Sequence, residues 1–396
     1  MSIEIYNGRL LLENGTLCRE NIFLEGDRIT RIGAEASRSG GRFNAGGMLV
    51  LPGIVDIHGD AFERQLMPRP EVFFPYEIAL HDTDIQMVAN GITTGYHGLT
   101  YSWEPGLRGA DAARAFLSAL ETEKKHLVCD TRVHLRFETY NLKAVGEAVE
   151  WIEKDKIGLL GFNDHTECFW NEIAIPRYAT VLEARTGLTN GEYRALLERV
   201  RSWADMVPAA IDRLSTEARE RGIPMASHDD ETPQMRRSYH SLGCTLCEFP
   251  VTFDTVMTAR ELEDLVILGA PNAFRGQSQS SRRVSARDAI ENNACNVLTS
   301  DYYYPALLQS AFALARDGVL SFPKAWSLVS ANPARAVGLT DRGCVAPGKR
   351  ADLVLVDDSI PTRPRVCNVF AAGRLVLSCG NLLPGANGTQ TCIPRA

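Results

Sequence analysis

The chain has 396 residues, and 42 Lys and Arg against 49 Asp and Glu leave a formal charge of −7. Apolar residues make up 45% and charged residues 23%, the balance of a globular chain with a large core, which excludes disordered and collagen-like architectures. The acidic balance also argues against a nucleic-acid or anionic-membrane binder, so an anionic substrate would have to be met by a few local arginines. The opening MSIEIYNGRLLLENG lacks a basic region before an apolar run, and no stretch reaches the roughly 18 apolar residues of a membrane span, so a cytoplasmic location is expected. The 10 cysteines are too scattered for a disulfide framework. Cys244 and Cys247 lack a second pair at zinc-finger spacing and are read as reduced, structural thiols.

Residues 1–50 alternate short β-rich runs with turn signals at Asn7-Gly8, Asn14-Gly15 and Gly26-Asp27, which predict hairpins. The texture returns in GKRADLVLVDD and RVCNVFAAGRLVLSCG, so residues 1–50 and 341–396 are expected to pair into one small β domain. Between them, over 51–340, apolar or β-branched runs fall at 51–58, 92–100, 129–139, 157–164, 223–229, 245–252, 267–274 and 296–301. Helical patterns such as DAARAFLSALETEKK and YRALLERVRSWADMVPAAIDRLSTEARERG fill the intervals. Eight strands alternating with helices predict an α/β fold, with a (β/α)8 barrel favoured over an open doubly wound sheet.

Catalytic groups of such a barrel stand at the C-terminal ends of its strands. The first run ends in His58-Gly59-Asp60, the third in Glu138, the fourth in Asn163-Asp164-His165, the fifth in His228-Asp229-Asp230-Glu231, the sixth near Glu248 and the eighth in Asp301. Neutral imidazoles and carboxylates are ligands for Zn²⁺, Mn²⁺ or Fe²⁺, and alternate residues at a strand end can face one cavity. His58, Asp60, Glu138, His165, His228 and Asp301 are therefore the candidate ligands of one or two divalent ions, with two favoured. Bland alternatives exist for several: an N-cap or an ion pair to Arg64 for Asp60, Asp164 as the inward residue in place of His165, and a salt bridge to Arg132 or Arg136 for Glu138. His134 is expected to fill the barrel interior, and His81, His97, His126 and His240 are assigned to helices or loops. The stretch from Gly269 to Arg283 is rich in anion donors, so Arg275, Gln277, Ser278, Ser280 and Ser281, with Arg64 on the same rim, are candidate phosphate contacts. A solvated Ser/Arg loop is the alternative. Metal ligands in the centre and arginines on the rim favour hydrolysis of a phosphorylated substrate.

LPGIVDIH after the first β segment and PGKRADLVLVD before the last resemble the amidohydrolase superfamily over nearly the whole chain. The resemblance implies a (β/α)8 barrel beside a small β-sandwich built from both chain ends. HGDAFERQLMPRP, GAPNAFRGQSQS and VLTSDYYYP are most similar to a branch acting on a phosphorylated ribose in phosphonate breakdown. That branch implies metal-dependent release of pyrophosphate from a ribose 5-triphosphate, with Asp301 orienting water and accepting its proton and His228 as a ligand. The partner would be this small phosphorylated sugar, neither nucleic acid nor membrane, with homo-oligomerisation left open. Two departures from the common family pattern stand out. Asp60 replaces the second histidine of the first strand, and no lysine ends the fourth, so Glu138 or His165 would have to substitute for a carboxylated bridge. Glu248 also stands where a histidine is common. A cyclic amide or N-acyl hydrolase is the alternative enzyme, and a metal-dependent scaffold or sensor the alternative outside catalysis.

Overall fold

The computed structural model describes residues 2–34, 40–277 and 283–379. Eight parallel strands follow one another in chain order: β1 (Ile54–Gly59), β2 (Ile92–Tyr101), β3 (Asp130–Glu138), β4 (Leu159–Asn163), β5 (Met225–His228), β6 (Leu246–Glu248), β7 (Leu265–Gly269) and β8 (Val297–Thr299). A parallel bridge between Gly59 and Asp301 brings the last strand back to the first and closes the barrel. The strands read as near-continuous apolar runs because helices cover their outer faces while side chains fill the interior. Val55, Ile57, Tyr96, Leu159, Leu246, Ile267 and Val297 form a dry cluster inside, so the barrel is plugged below the level of the polar strand ends.

Both chain ends build two further sheets. Arg28–Gly33, Asn21–Glu25, Ser2–Tyr6 and Gly41–Asn44 form one of four strands. Arg374–Ser378, Arg365–Ala371, Leu353–Asp357, Leu49–Pro52, Arg9–Leu11 and Leu17–Cys18 form the other, of six. Ile5, Ile22 and Leu24 of the first meet Val50, Leu355 and Phe370 of the second in a common core, which makes the pair a small β-sandwich. No helix among the described residues is long and apolar enough to cross a membrane.

Four local expectations change. Asn7-Gly8 joins no hairpin: Asn7 takes φ 58° and the chain crosses between the two sheets, where a Cβ on Gly8 would stand 2.6 Å from Val50. The seventh run is strand only to Gly269; Pro271 near the start and left-handed Gly276 at the end make Ala270–Arg275 a helical turn. The sixth stops at Glu248, where Phe249 turns to φ 52°. His97 lies on β2, not in a helix or loop, and is buried against Phe62 and Phe116.

Candidate active site

The polar strand ends converge at one mouth of the barrel. Asp229, Phe249 and Asp301 follow β5, β6 and β8 with φ of 58°, 52° and 55°, a backbone that costs of order 1–3 kcal/mol per residue and tends to collect at functional sites. Asp301 is held there by its own N–H donating to the His58 carbonyl at 3.0 Å and by Asp60 N–H donating to the Asp301 carbonyl at 3.0 Å. Behind them, the buried Asp56 carboxylate accepts from the backbone N–H of Ser300 at 3.0 Å and from its hydroxyl. Burial raises the Asp56 carboxyl to about 6. The two barrel-closing strands are thus stapled directly beneath His58 and Asp301.

Three groups of potential ligand atoms lie close together: His58 with His134 and Glu248, His58 with Asp60 and Asp301, and His165 with His228 and Asp229. The first group is fully buried. His58 Nδ1 comes within 2.8 Å of Glu248 Oε1 without hydrogen-bond geometry, and His134 Nε2 lies 3.7 Å from Glu248 Oε2. His58 Nδ1, His134 Nε2 and both Glu248 oxygens have no hydrogen-bond partner among the described residues. Unpaired buried polar atoms are costly unless something else engages them. Burial, and then the Arg136 charge, keep His58 neutral; burial takes His134 to about 3. Two neutral imidazoles and a carboxylate converging without hydrogen bonds fit a divalent transition-metal ion. Burial and then Asp60 push the Asp301 carboxyl to about 8, with Arg136 opposing them only in part.

Among the sequence-based candidates, His58, Asp60 and Asp301 come together, as do His228 and His165. Glu138 does not join these groups. Its carboxylate holds His165, with Oε1 2.5 Å from Nδ1 and Oε2 accepting the His165 N–H at 3.2 Å. Burial opposes the charge on both, yet their pairing keeps Glu138 below and His165 above its ordinary range. Asp60 pairs with neither Arg64 nor a helix end; Arg136 Nη1 donates to it at 3.3 Å. Arg64 is exposed and does not line the central cavity. Ser278, Ser280 and Ser281 lie outside the described residues.

Arg136, His134 and Glu248 carry more of the site than strand ends alone suggested. Arg136 Nη2 stands 3.3 Å from His228 Nε2, and Asn163, with its amide oxygen facing the guanidinium, accepts from Nη2 and Nε at 3.2 Å. His134, Arg136 and Glu138 alternate along β3, so all three side chains face inward. That alternation was the available signal.

Above this floor is a cavity of about 460 Å³, whose wall includes His58, Arg136, His228, Asp301, Arg275 and Arg283. Gln277 also lines it. Arg283 makes a two-pronged pair with Asp229 at 2.7 and 3.2 Å. Burial opposes ionisation of Asp229, but His228 and Arg283 hold it well below the usual carboxylate range. The chamber thus joins carboxylates and imidazoles below to guanidinium groups at its walls, an arrangement suited to an anionic substrate whose reacting atom sits low.

Residues 201–376 match the amidohydrolase family. Over 360 residues, 89% of this chain and 94% of the relative, the sequence is 31% identical to the α-D-ribose 1-methylphosphonate 5-triphosphate diphosphatase of Escherichia coli K12. The fold is shared with the N-isopropylammelide isopropylaminohydrolase of Burkholderia multivorans at a TM-score of 0.64 and 19% identity, covering 96% of this chain and 98% of that one. A triazine hydrolase variant superposes with a TM-score of 0.65 at 13% identity, over 95% of each chain.

Proposed function

Because the chain belongs to the amidohydrolase family, we propose that this hydrolase removes pyrophosphate from α-D-ribose 1-methylphosphonate 5-triphosphate, leaving the 5-phosphate. The observation that carries this reading is the cavity itself, in which Arg136, Arg275 and Arg283 face the same space as His58 and Asp301. A neutral cyclic amide has no use for three guanidinium groups, whereas a triphosphate does. The likeness to the Escherichia coli diphosphatase over most of both chains supports the same choice.

Two sets of residues that share His58 could hold a divalent ion: His134 and Glu248 complete one, Asp60 and Asp301 the other. When bound, such an ion lowers the pKa of a coordinated water from about 15.7 to near 7 and polarises a phosphoryl oxygen. Asp301 would accept the proton of the water that attacks the α-phosphorus. Arg136 and Arg283 would offset charge on the phosphoryl oxygens as it shifts, and Arg275 with Gln277 would bind the β- and γ-phosphates. The bond from the α-phosphorus to the α–β bridging oxygen breaks, and its electron pair leaves on pyrophosphate. Glu138 would keep the His165 ring fixed beside Asp229.

The test is a substrate panel run on chelator-treated and metal-reconstituted protein, with pyrophosphate and phosphate measured separately. Metal-dependent pyrophosphate release from the ribose triphosphate is the expected result. Turnover of cyclic ureides or N-acyl amides, with no pyrophosphate from any triphosphate, would replace this reading with amide hydrolysis.

A further inference from the structure

We propose that Arg136 takes the place of a second metal ion, so that the chain holds a single divalent ion, seated on His58, His134 and Glu248. The inference deepens the metal-dependent reading above and rests on it.

Arg136 comes from near the C-terminal end of β3 and is almost wholly buried at the barrel mouth. One end of its guanidinium, Nη1, reaches Asp60, a member of the group formed with His58 and Asp301. The other, Nη2, reaches Nε2 of His228, a member of the group formed with His165 and Asp229. A single fixed cation therefore stands on ground common to both groups. An arginine does not lose its proton in a protein, so this charge is permanent and opposes an ion in either neighbouring position.

The remaining contacts agree. In the group of His165, His228 and Asp229, His165 is held by Glu138 and Asp229 by Arg283 at 2.7 Å. The fourth strand ends in Asn163, whose neutral amide oxygen faces Arg136 and offers no anionic bridge between two ions. Only in the group of His58, His134 and Glu248 do the facing atoms, His58 Nδ1, His134 Nε2 and both Glu248 oxygens, all lack hydrogen-bond partners among the described residues. In each of the other two groups at least one ligand residue is already engaged by Arg136 or Arg283. The guanidinium also forms part of the cavity wall, where a second ion's positive charge would otherwise face the substrate.

Metal counting tests this without reference to turnover. Protein stripped with a chelator is titrated with Zn²⁺ or Mn²⁺ by calorimetry, and its bound metal is measured after desalting. The parent should saturate at one equivalent per chain. Glu248→Gln should bind at least tenfold more weakly, Arg136→Lys should stay at one, and Arg136→Gln should accept a second equivalent. Two equivalents in the parent would overturn the inference whether or not any variant folds. So would undiminished binding by Glu248→Gln, or a folded Arg136→Gln that still stops at one. A parent that binds no metal and hydrolyses its substrate in chelator would instead remove the metal-dependent reading itself, a separate and recognisable result.

Discussion

Asp301 is the side chain on which hydrolysis would depend most directly. Asp301→Asn keeps its shape and removes the proton acceptor, so kcat should fall on the order of 10²–10⁴-fold while metal content stays near the parent's. Steady-state kinetics beside elemental analysis checks both, and activity within a few-fold of the parent would move the base elsewhere. Arg275 lines the cavity, and a hydrogen bond to a charged group is worth about 1.5–3 kcal/mol. Arg275→Ala should accordingly raise KM for the triphosphate by roughly 10- to 100-fold and leave KM for a neutral ester unchanged, as initial-rate measurements on the two substrates would reveal. His97 gives a pH signature of its own. Burial takes it to about 4, against about 6.5 in an unfolded chain. The unfolded state therefore binds the extra proton between those values, and stability falls as pH drops from 6.5 to 4, by about 3 kcal/mol at full extent. Urea melts at pH 7 and pH 5 should show the loss in the parent and a smaller one in His97→Gln. The sequence marked His58, His228 and Asp301 because each ends an apolar run. It passed over Arg136 and His134 because an inward residue two or four places before a strand end usually fills a dry layer. Nothing local shows where the dry plug stops, since that depends on what the other seven strands contribute at the same height.

At the scale of elements, the barrel mouth depends on how β5 and β6 are held to the helix Pro233–Ser241 that joins them. Arg236 of that helix is completely buried and pairs with Asp230 at 3.1 Å and Asp264 at 3.2 Å, while its Nη groups also reach Ser227 and the carbonyl of Cys244. Asp230 directly follows Asp229, so this network fixes the strand end that presents His228. Removing the guanidinium would take from both buried carboxylates their arginine partner, and Arg236→Met should cost about 3–5 kcal/mol. A fall of several degrees or more in Tm by calorimetry is the expected reading; a Tm within about a degree of the parent would mean that water or rearrangement satisfies both acids. Cys244 and Cys247 are buried around the same arginine as free thiols, and burial pushes Cys244 up to about 12. They suit a packing role, as their isolation from any second pair suggested. The strands and most helices were legible from apolar runs and 3.6-residue patterns. Their ends were less so: the long helical stretch after Thr189 is two helices, Asn190–Arg201 and Val207–Glu220, with a short turn of helix between them. The break falls at Trp203 and before Pro208, in a stretch whose polar/apolar pattern runs on unbroken.

For the whole molecule, the position of bond cleavage is the most informative observable. If the distal phosphates are gripped at the rim and the α-phosphorus lies low in the cavity, as proposed, hydrolysis in ¹⁸O-water should label the sugar 5-phosphate and leave pyrophosphate unlabelled. Mass spectrometry of the products decides it; label in free phosphate beside a sugar diphosphate would mean that the chain is gripped in the opposite direction. The overall architecture was readable because both chain ends share a β texture and the middle alternates. How the ends meet was not, because the first segments divide between two sheets that only long-range pairing defines. The staple between Asp56 and Ser300 has a further meaning in time. Its partners are 244 residues apart in the chain, and synthesis proceeds at roughly 5–20 residues per second. A growing polypeptide therefore carries His58 and Asp60 for on the order of ten to fifty seconds before Asp301 can come to rest beside them. Throughout that interval the nascent chain lacks Asp301, so the proposed catalytic floor would be complete only when the barrel closes.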